Sequence, residues 1–142
     1  MLVDAVLRLK GSSVVTASPE TPIGEIARLL HDARIGAVVI SADDKTPDGI
    51  LSERDIVAAI ATEGSTALDH KASELMTCEV ITCAPGDGVA GLMDVMTQNR
   101  IRHLPVMANG ALCGMMSIGD VVKCHVDEIE HEAEALRAYV AQ

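Results

Sequence analysis

The chain says nearly the same thing twice. Gly49-Ile50-Leu51-Ser52-Glu53-Arg54-Asp55-Ile56-Val57 returns as Gly114-Met115-Met116-Ser117-Ile118-Gly119-Asp120-Val121-Val122. Both read as glycine, two apolar residues, serine, two variable residues, aspartate and two apolar residues. Upstream, Val15-Thr16 with a following Pro19 is answered by Ile81-Thr82 and Pro85, and Ile35 to Ile40 by Ile101 to Val106. The offset is 66 residues upstream and 65 at the aspartates, so the second copy has one residue fewer in its turn. Self-similarity over most of a short chain means two copies of one unit. A twofold arrangement of such units sets equivalent sites face to face.

Within each copy the patterning predicts β-α-β-β-α. Val14 to Ala17 is a short β-branched run, and Ser18-Pro19-Glu20-Thr21 with Pro22 starts a helix whose apolar residues Ile23, Ile26, Ala27, Leu29 and Leu30 share one face. Ile35 to Ile40 reads as a buried strand, Ser41 to Asp48 as a turn, Gly49 to Leu51 as the return strand and Asp55 to Ala61 as a helix. The second half repeats the order with strand Val80 to Cys83, helix Val89 to Gln98, strands Ile101 to Met107 and Leu112 to Met116, and a helix from Ile118. The expected organisation is an α/β fold of two β-α-β-β-α units with pseudo-twofold symmetry. An N-terminal helix (1–13), a first unit (14–63), a connecting segment (64–79), a second unit (80–126) and a C-terminal helical extension (127–142) divide the chain.

At 142 residues the chain can bury a substantial core, whereas half of it alone would be marginal. That core is Val, Ile, Leu, Met and Ala, because Phe and Trp are absent and Tyr139 is the one aromatic residue. A net charge of −10 opposes nonspecific binding to nucleic acid or anionic membranes, so neither is expected as a partner. Met1 to Lys10 carries Asp4, Arg8 and Lys10 and does not read as a signal peptide. No apolar run approaches the roughly 20 residues of a membrane span, so the cytoplasm is the expected location. Cys78, Cys83, Cys113 and Cys124 lack metal-ligand spacing and read as reduced, half-buried residues. His125 and His131 are six apart, off the spacing that shares a helix face, and no metal site is expected.

The doubled motif resembles the CBS (cystathionine-β-synthase) domain, and the pair resembles a tandem of such domains, the Bateman module, over about Val14 to Val126. More narrowly, Ile50 to Val57, Arg102-His103-Leu104-Pro105-Val106 and Ser117 to Lys123 with a helical tail look like the small stand-alone bacterial CBS-pair proteins. The resemblance implies binding of adenine nucleotides (AMP, ADP, ATP, NAD or S-adenosylmethionine) in clefts between the units.

Ser52 and Asp55 stand three apart at a helix entrance, as do Ser117 and Asp120. Taken singly, Ser-x-x-Asp is an ordinary capping box, in which serine accepts from an exposed N–H and an acid favours the positive end of the helix dipole. Two copies facing each other would also border the central cleft, and the resemblance implies that Asp55 and Asp120 hold the hydroxyls of a ribose. A nucleotide further needs cations or backbone N–H groups at its phosphate. The resemblance assigns this to Arg102 and His103, which open the second unit's apolar strand where the first unit has Gly36 and Ala37, with Arg54 next. Otherwise Arg102 is a solvated strand-end charge and His103 a hydrogen-bonded histidine. Because Gly36 and Ala37 are not basic, two equal sites are not expected. By resemblance alone, Thr16, Thr82, Pro105 and Ile118, with Val15 and Val80, would form the adenine slot; residues of this kind are more often plain core.

No nucleophile elbow, phosphate-loop, zinc-protease or dinucleotide fingerprint occurs, and neither Ser52 nor Ser117 has a histidine within its motif, so catalysis is not expected. Val122, Val126, Ile129, Ala133, Leu136 and Val140 recur at spacings of 4, 3, 4, 3 and 4, a heptad stripe that must be covered. It packs on the chain's own body, on Leu2, Val6 and Leu9 of the N-terminal helix, or on a second copy in a homodimer. The reading is a regulatory module that senses an adenine nucleotide, AMP foremost with NAD or ATP as alternatives, and signals to its dimer interface or to a protein partner the sequence does not name. The competing reading is a ligand-independent assembly module with degenerate sites.

Overall fold

Each half of the chain folds back through a hairpin whose second strand runs straight into a helix. The computed structural model describes residues 1–142. The order is α1 (Val3–Lys10), β1 (Thr16–Ala17), α2 (Ile23–Ala33), β2 (Ala37–Ile40), β3 (Gly49–Ser52), α3 (Glu53–Glu63), a 3₁₀ turn (Gly64–Asp69) and α4 (Ala72–Leu75). The second half follows with α5 (Val89–Asn99), β4 (His103–Ala108), β5 (Ala111–Ser117) and α6 (Ile118–Val140). In the first unit β1 runs parallel to β2, which pairs antiparallel with β3, Ala37 facing Ser52. In the second, β4 and β5 pair antiparallel and His103 faces Ser117. The two-unit α/β architecture expected from the repeat is the one observed.

One expected strand is missing. Val80 to Cys83 contributes a single parallel bridge, Cys83 to Val106, instead of a strand. The cause is Pro105. In the first unit the Val39 N–H donates to the Val15 carbonyl at 3.4 Å, extending the parallel ladder; the equivalent residue in the second unit is Pro105, which has no N–H to give. Only the Cys83 N–H to the Pro105 carbonyl (3.0 Å) and the Met107 N–H to the Cys83 carbonyl (2.8 Å) remain.

The core is split, and the short helix before each unit belongs to the other one. Val3, Val6 and Leu7 of α1 are buried with Leu92, Met96, Leu104, Val106, Met116 and Val121 of the second unit. Ala72 of α4 is buried with Ile23, Ile26, Leu30, Val38, Ile40, Leu51 and Ile56 of the first, with Leu75 and Met76 packed against them. The two dockings are alike: Leu7 lies over Gly114 and Met76 over Gly49, so close that a β-carbon at either glycine would stand within 2.8 Å of them. The Asp4 N–H bonds the Pro85 carbonyl and the Ser73 N–H the Pro19 carbonyl, a further matched pair. This exchange runs two strands of chain through the middle of the molecule, one leaving α1 and one leaving α4.

The stripe on α6 is not covered by the chain. Val122, Val126, Ile129, Leu136 and Val140 are all 45–75% exposed, and Leu9 is 81% exposed. Of the coverings considered for that stripe, Leu2, Val6 and Leu9 do not provide one: Val6 faces the second unit's core, while Leu2 and Leu9 face outward.

Candidate functional site

Both Ser-x-x-Asp motifs form capping boxes. The Ser52 N–H donates to Asp55 Oδ2 at 2.9 Å and its hydroxyl at 3.2 Å, while the Asp55 N–H returns to Ser52 Oγ at 3.4 Å. Ser117 and Asp120 repeat this at 2.9, 3.0 and 3.2 Å. In each case the cap uses Oδ2 alone. It thereby fixes the carboxylate at the mouth of a helix and leaves Oδ1 without a protein partner.

Around these caps lie two cavities related by the repeat. The first, of about 340 Å³, is lined by Ile50, Ser52, Glu53, Arg54 and Asp55 of the first unit and by Ile81 and Arg100 to His103 of the second, with Thr77 and Glu79 from the segment leaving α4. The second, of about 410 Å³, is lined by Met115 and Ser117 of the second unit and Val15 and Arg34 to Ala37 of the first, with Lys10, Gly11 and Ser13 from the segment leaving α1. Each cavity therefore takes its helix-capping serine from one unit and a strand entrance from the other, but only the first is also lined by the aspartate of its cap, Asp55. Gly36, Ala37 and His103 line both and form the partition between them.

Asp55, Ser52, Arg54, Arg102 and His103, chosen from sequence, come together in the first cavity. Arg102 shares the cavity of Asp55, whereas His103 lines both cavities, a placement that spacing alone does not decide. His103 is half-buried, and burial, reinforced by Arg102, holds its imidazole below the ordinary pKa. It is thus neutral at neutral pH and works as a hydrogen-bonding group more than as a cation. Gly36 sits where a β-carbon would meet Glu53 Oε1 at 2.8 Å and His103 Cε1 at 3.1 Å. The first unit carries glycine there because the histidine ring occupies that space.

The remaining predicted residues are placed elsewhere. The Thr16 hydroxyl donates to Asp44 Oδ1 at 2.7 Å and lines neither cavity; Thr82 is exposed beside Ile81; Pro105 is buried in β4. Ile118 lies in a shallow neighbouring cleft with Arg54, Arg100 and Arg102. Asp120 stands behind Ser117, its Oδ2 accepting from Lys10 Nζ at 2.6 Å. Burial works to raise its pKa, but the Lys10 ammonium together with the Ser117 donors holds the carboxyl below its ordinary value.

Sequence reasoning missed Arg34 and Arg100. Both follow a helix as left-handed caps, at φ 55° and 54°, and the next residue's N–H closes the turn on Leu30 or Met96. Glycine is the usual residue in such a backbone, yet an arginine stands at both and lines one cavity each. The signal was available, since the two obey the same 66-residue offset as the strands behind them. Lys10, Glu53 and Glu79 carried no comparable signal, because they face the cavities through tertiary packing. No group of three or more His, Cys, Asp or Glu side chains is placed to hold a metal ion, and all four cysteines are free thiols. No helix is long and apolar enough to cross a membrane.

Two pseudo-symmetric α/β units with paired clefts, each cleft assembled from both units, define a tandem module. The chain belongs to the CBS domain family, whose model matches residues 9–62 and 72–127. Among solved structures it is similar to the CBS-domain protein ATU1752 of Agrobacterium tumefaciens, with 44% identity, a TM-score of 0.85, and 88% of this chain and 99% of that one covered. It is similar also to the CBS domain protein PAE2072 of Pyrobaculum aerophilum, solved in complex with AMP, at 32% identity and a TM-score of 0.75, over 84% of this chain and 89% of that one. The CBS domain-containing protein CBSX3, mitochondrial, of Arabidopsis thaliana is 32% identical over 95% of this chain and 69% of its own length.

Proposed function

We propose that this CBS pair is a regulatory, non-catalytic module that binds an adenine nucleotide, AMP foremost, in the first cavity. The observation that carries this reading is the meeting, in one cavity, of the half-free Asp55 carboxylate from one unit with Arg100 and Arg102 from the other. Asp55 Oδ1 is free to accept ribose hydroxyls, the guanidiniums suit a phosphate, and Ile50, Ile81 and Ile101 give the apolar slot a base requires. The AMP complex of the Pyrobaculum aerophilum relative supports the same ligand class. Arg54, Arg100 and Arg102 are matched by Glu53, Asp55 and Glu79. A lining so balanced favours a monophosphate over ATP and leaves NAD as the alternative of low charge density.

A ligand held by both units favours the arrangement in which both halves of the site meet, and so shifts the population of relative unit positions. The exposed stripe of α6 is the surface to which that shift is passed, through a homodimer. The same stripe favours the second reading, an assembly module whose dimer forms without ligand. A thermal-shift panel of AMP, ATP, NAD and S-adenosylmethionine on protein refolded free of carried-over ligand separates the two. Ligand at 100 times its dissociation constant adds about 2.7 kcal/mol, and at roughly 2–4 °C per kcal/mol for a chain of this size that is about 5–11 °C. A flat panel would leave the assembly reading standing.

A further inference from the structure

The segments that cross between the units contribute opposite charges to the two cavities. Leaving α4, the chain sets Thr77 and Glu79 against the first cavity; leaving α1, it sets Lys10 and Ser13 against the second. The exchange is local and well defined. Thr77 answers the Ile50 carbonyl with its backbone N–H at 3.0 Å, whereas the equivalent Met115 carbonyl is answered by Lys10 Nζ at 2.7 Å. The same ammonium reaches Asp120 Oδ2 at 2.6 Å. It thus spends two of its three protons inside the protein and keeps one for the cavity it lines. Asp55 has no such partner. The second cavity has no carboxylate in its lining and carries Lys10 and Arg34; of the acids just behind it, Asp120 is already neutralised by an ion pair and Glu53 stands beyond Gly36, in the lining of the first cavity.

We propose that Lys10 is the specificity-determining residue of the second cavity: it reserves that cavity for an adenine nucleotide bearing a di- or triphosphate. The first cavity remains the monophosphate site, an inference that rests on the function proposed above. Neutralising Asp120 weakens it as an acceptor for ribose, so adenosine gains little there. The positive charge of Arg34 and the remaining Lys10 proton reward each added phosphate. One protein would therefore read two nucleotides of different charge on the two sides of the Gly36–His103 partition.

Methyl NMR on the full chain reads the cavities separately, because Met115 lines only the second, and Ile50 and Ile81 only the first. Adenosine, AMP and ATP are titrated into the natural chain, Lys10→Met and Lys10→Arg. At Met115 the natural chain should bind ATP at least about 10-fold more tightly than adenosine, the worth of one charge-assisted contact. Lys10→Met should bring the two within about 3-fold of each other, Lys10→Arg should keep the preference, and Ile50 and Ile81 should rank AMP first in all three proteins. The assignment is overturned if the ATP preference at Met115 survives Lys10→Met, or if Met115 answers adenosine as readily as ATP in the natural chain. It is equally overturned if Met115 answers no ligand while Ile50 and Ile81 do, a result that would leave the first-cavity reading intact. Silence of Ile50 and Ile81 toward AMP is the separate result that overturns the proposed function itself.

Discussion

Arg100 and Arg34 are the residues at which backbone preference and site chemistry pull against each other. A left-handed cap costs a side-chain-bearing residue about 1–2 kcal/mol, which glycine avoids. Glycine loses part of that again, roughly 0.5–1 kcal/mol, through its freer unfolded chain. Arg100→Gly should therefore unfold at nearly the same temperature as the natural protein while binding AMP more weakly in calorimetry. A much lower melting temperature would show that the arginine is kept for packing. Asp43 is a residue of the opposite kind, placed wholly for structure. Its Oδ1 accepts from the Lys45 and Thr46 N–H groups and the Ser41 hydroxyl, and these bonds hold the carboxyl at about 2, below its ordinary 3.8. A depressed pKa means that the ionised form is favoured in the fold, so this contribution is complete above pH 4 and is lost as the pH falls toward 2. Denaturant titrations of Asp43→Asn between pH 4 and 2 should show a flatter pH dependence than the natural chain; an equal slope would remove Asp43 from the account. In the sequence, Asp55 could be picked out because it recurs as Asp120, and Arg102 and His103 because the first copy has Gly36 and Ala37 in their places. Glu79 and Lys10 were not, because which cavity a crossing segment faces is decided by where the helix before it docks.

At the scale of elements, the exchange of α1 and α4 is what joins the halves. Leu7 is buried and lies against Gly114, so the helix approaches β5 as closely as backbone permits. Leu7→Ala should cost about 2–5 kcal/mol as a buried large-to-small change. Because Lys10 follows on the same helix, it should also loosen the Lys10–Asp120 pair, which chemical denaturation and the amide exchange of Ser117 would report together. A loss below about 1 kcal/mol would mean that α1 is not part of the second core. Periodicity located every helix of the repeat to within a few residues. It failed at Val80 to Cys83, because a strand exists only through its neighbour's donors and that neighbour is Pro105. It was silent on which unit receives α1, since an amphipathic helix of eight residues states that it must be buried and not where.

The whole molecule is asymmetric in charge at its two cavities and open in apolar surface along α6. On the reading of that stripe as a homodimer contact, Ile129→Glu, at an exposed position, should leave the monomer's fold intact and halve the mass seen by light scattering. An unchanged mass would show that the stripe is not the contact. The pseudo-twofold plan itself was legible from the period of the sequence. The crossed cavities were legible only in part, because a repeat fixes equivalence between positions but not which copy each position faces. The central claim is that one ligand is held jointly by Asp55 of the first unit and the arginines of the second, and calorimetric titration of AMP tests it most directly. Asp55→Ala and Arg102→Ala should each weaken binding by about 10- to 150-fold, the worth of a charge-assisted hydrogen bond, while Asp120→Ala leaves AMP affinity at the first cavity unchanged. AMP binding that is indifferent to both Asp55→Ala and Arg102→Ala would contradict the account.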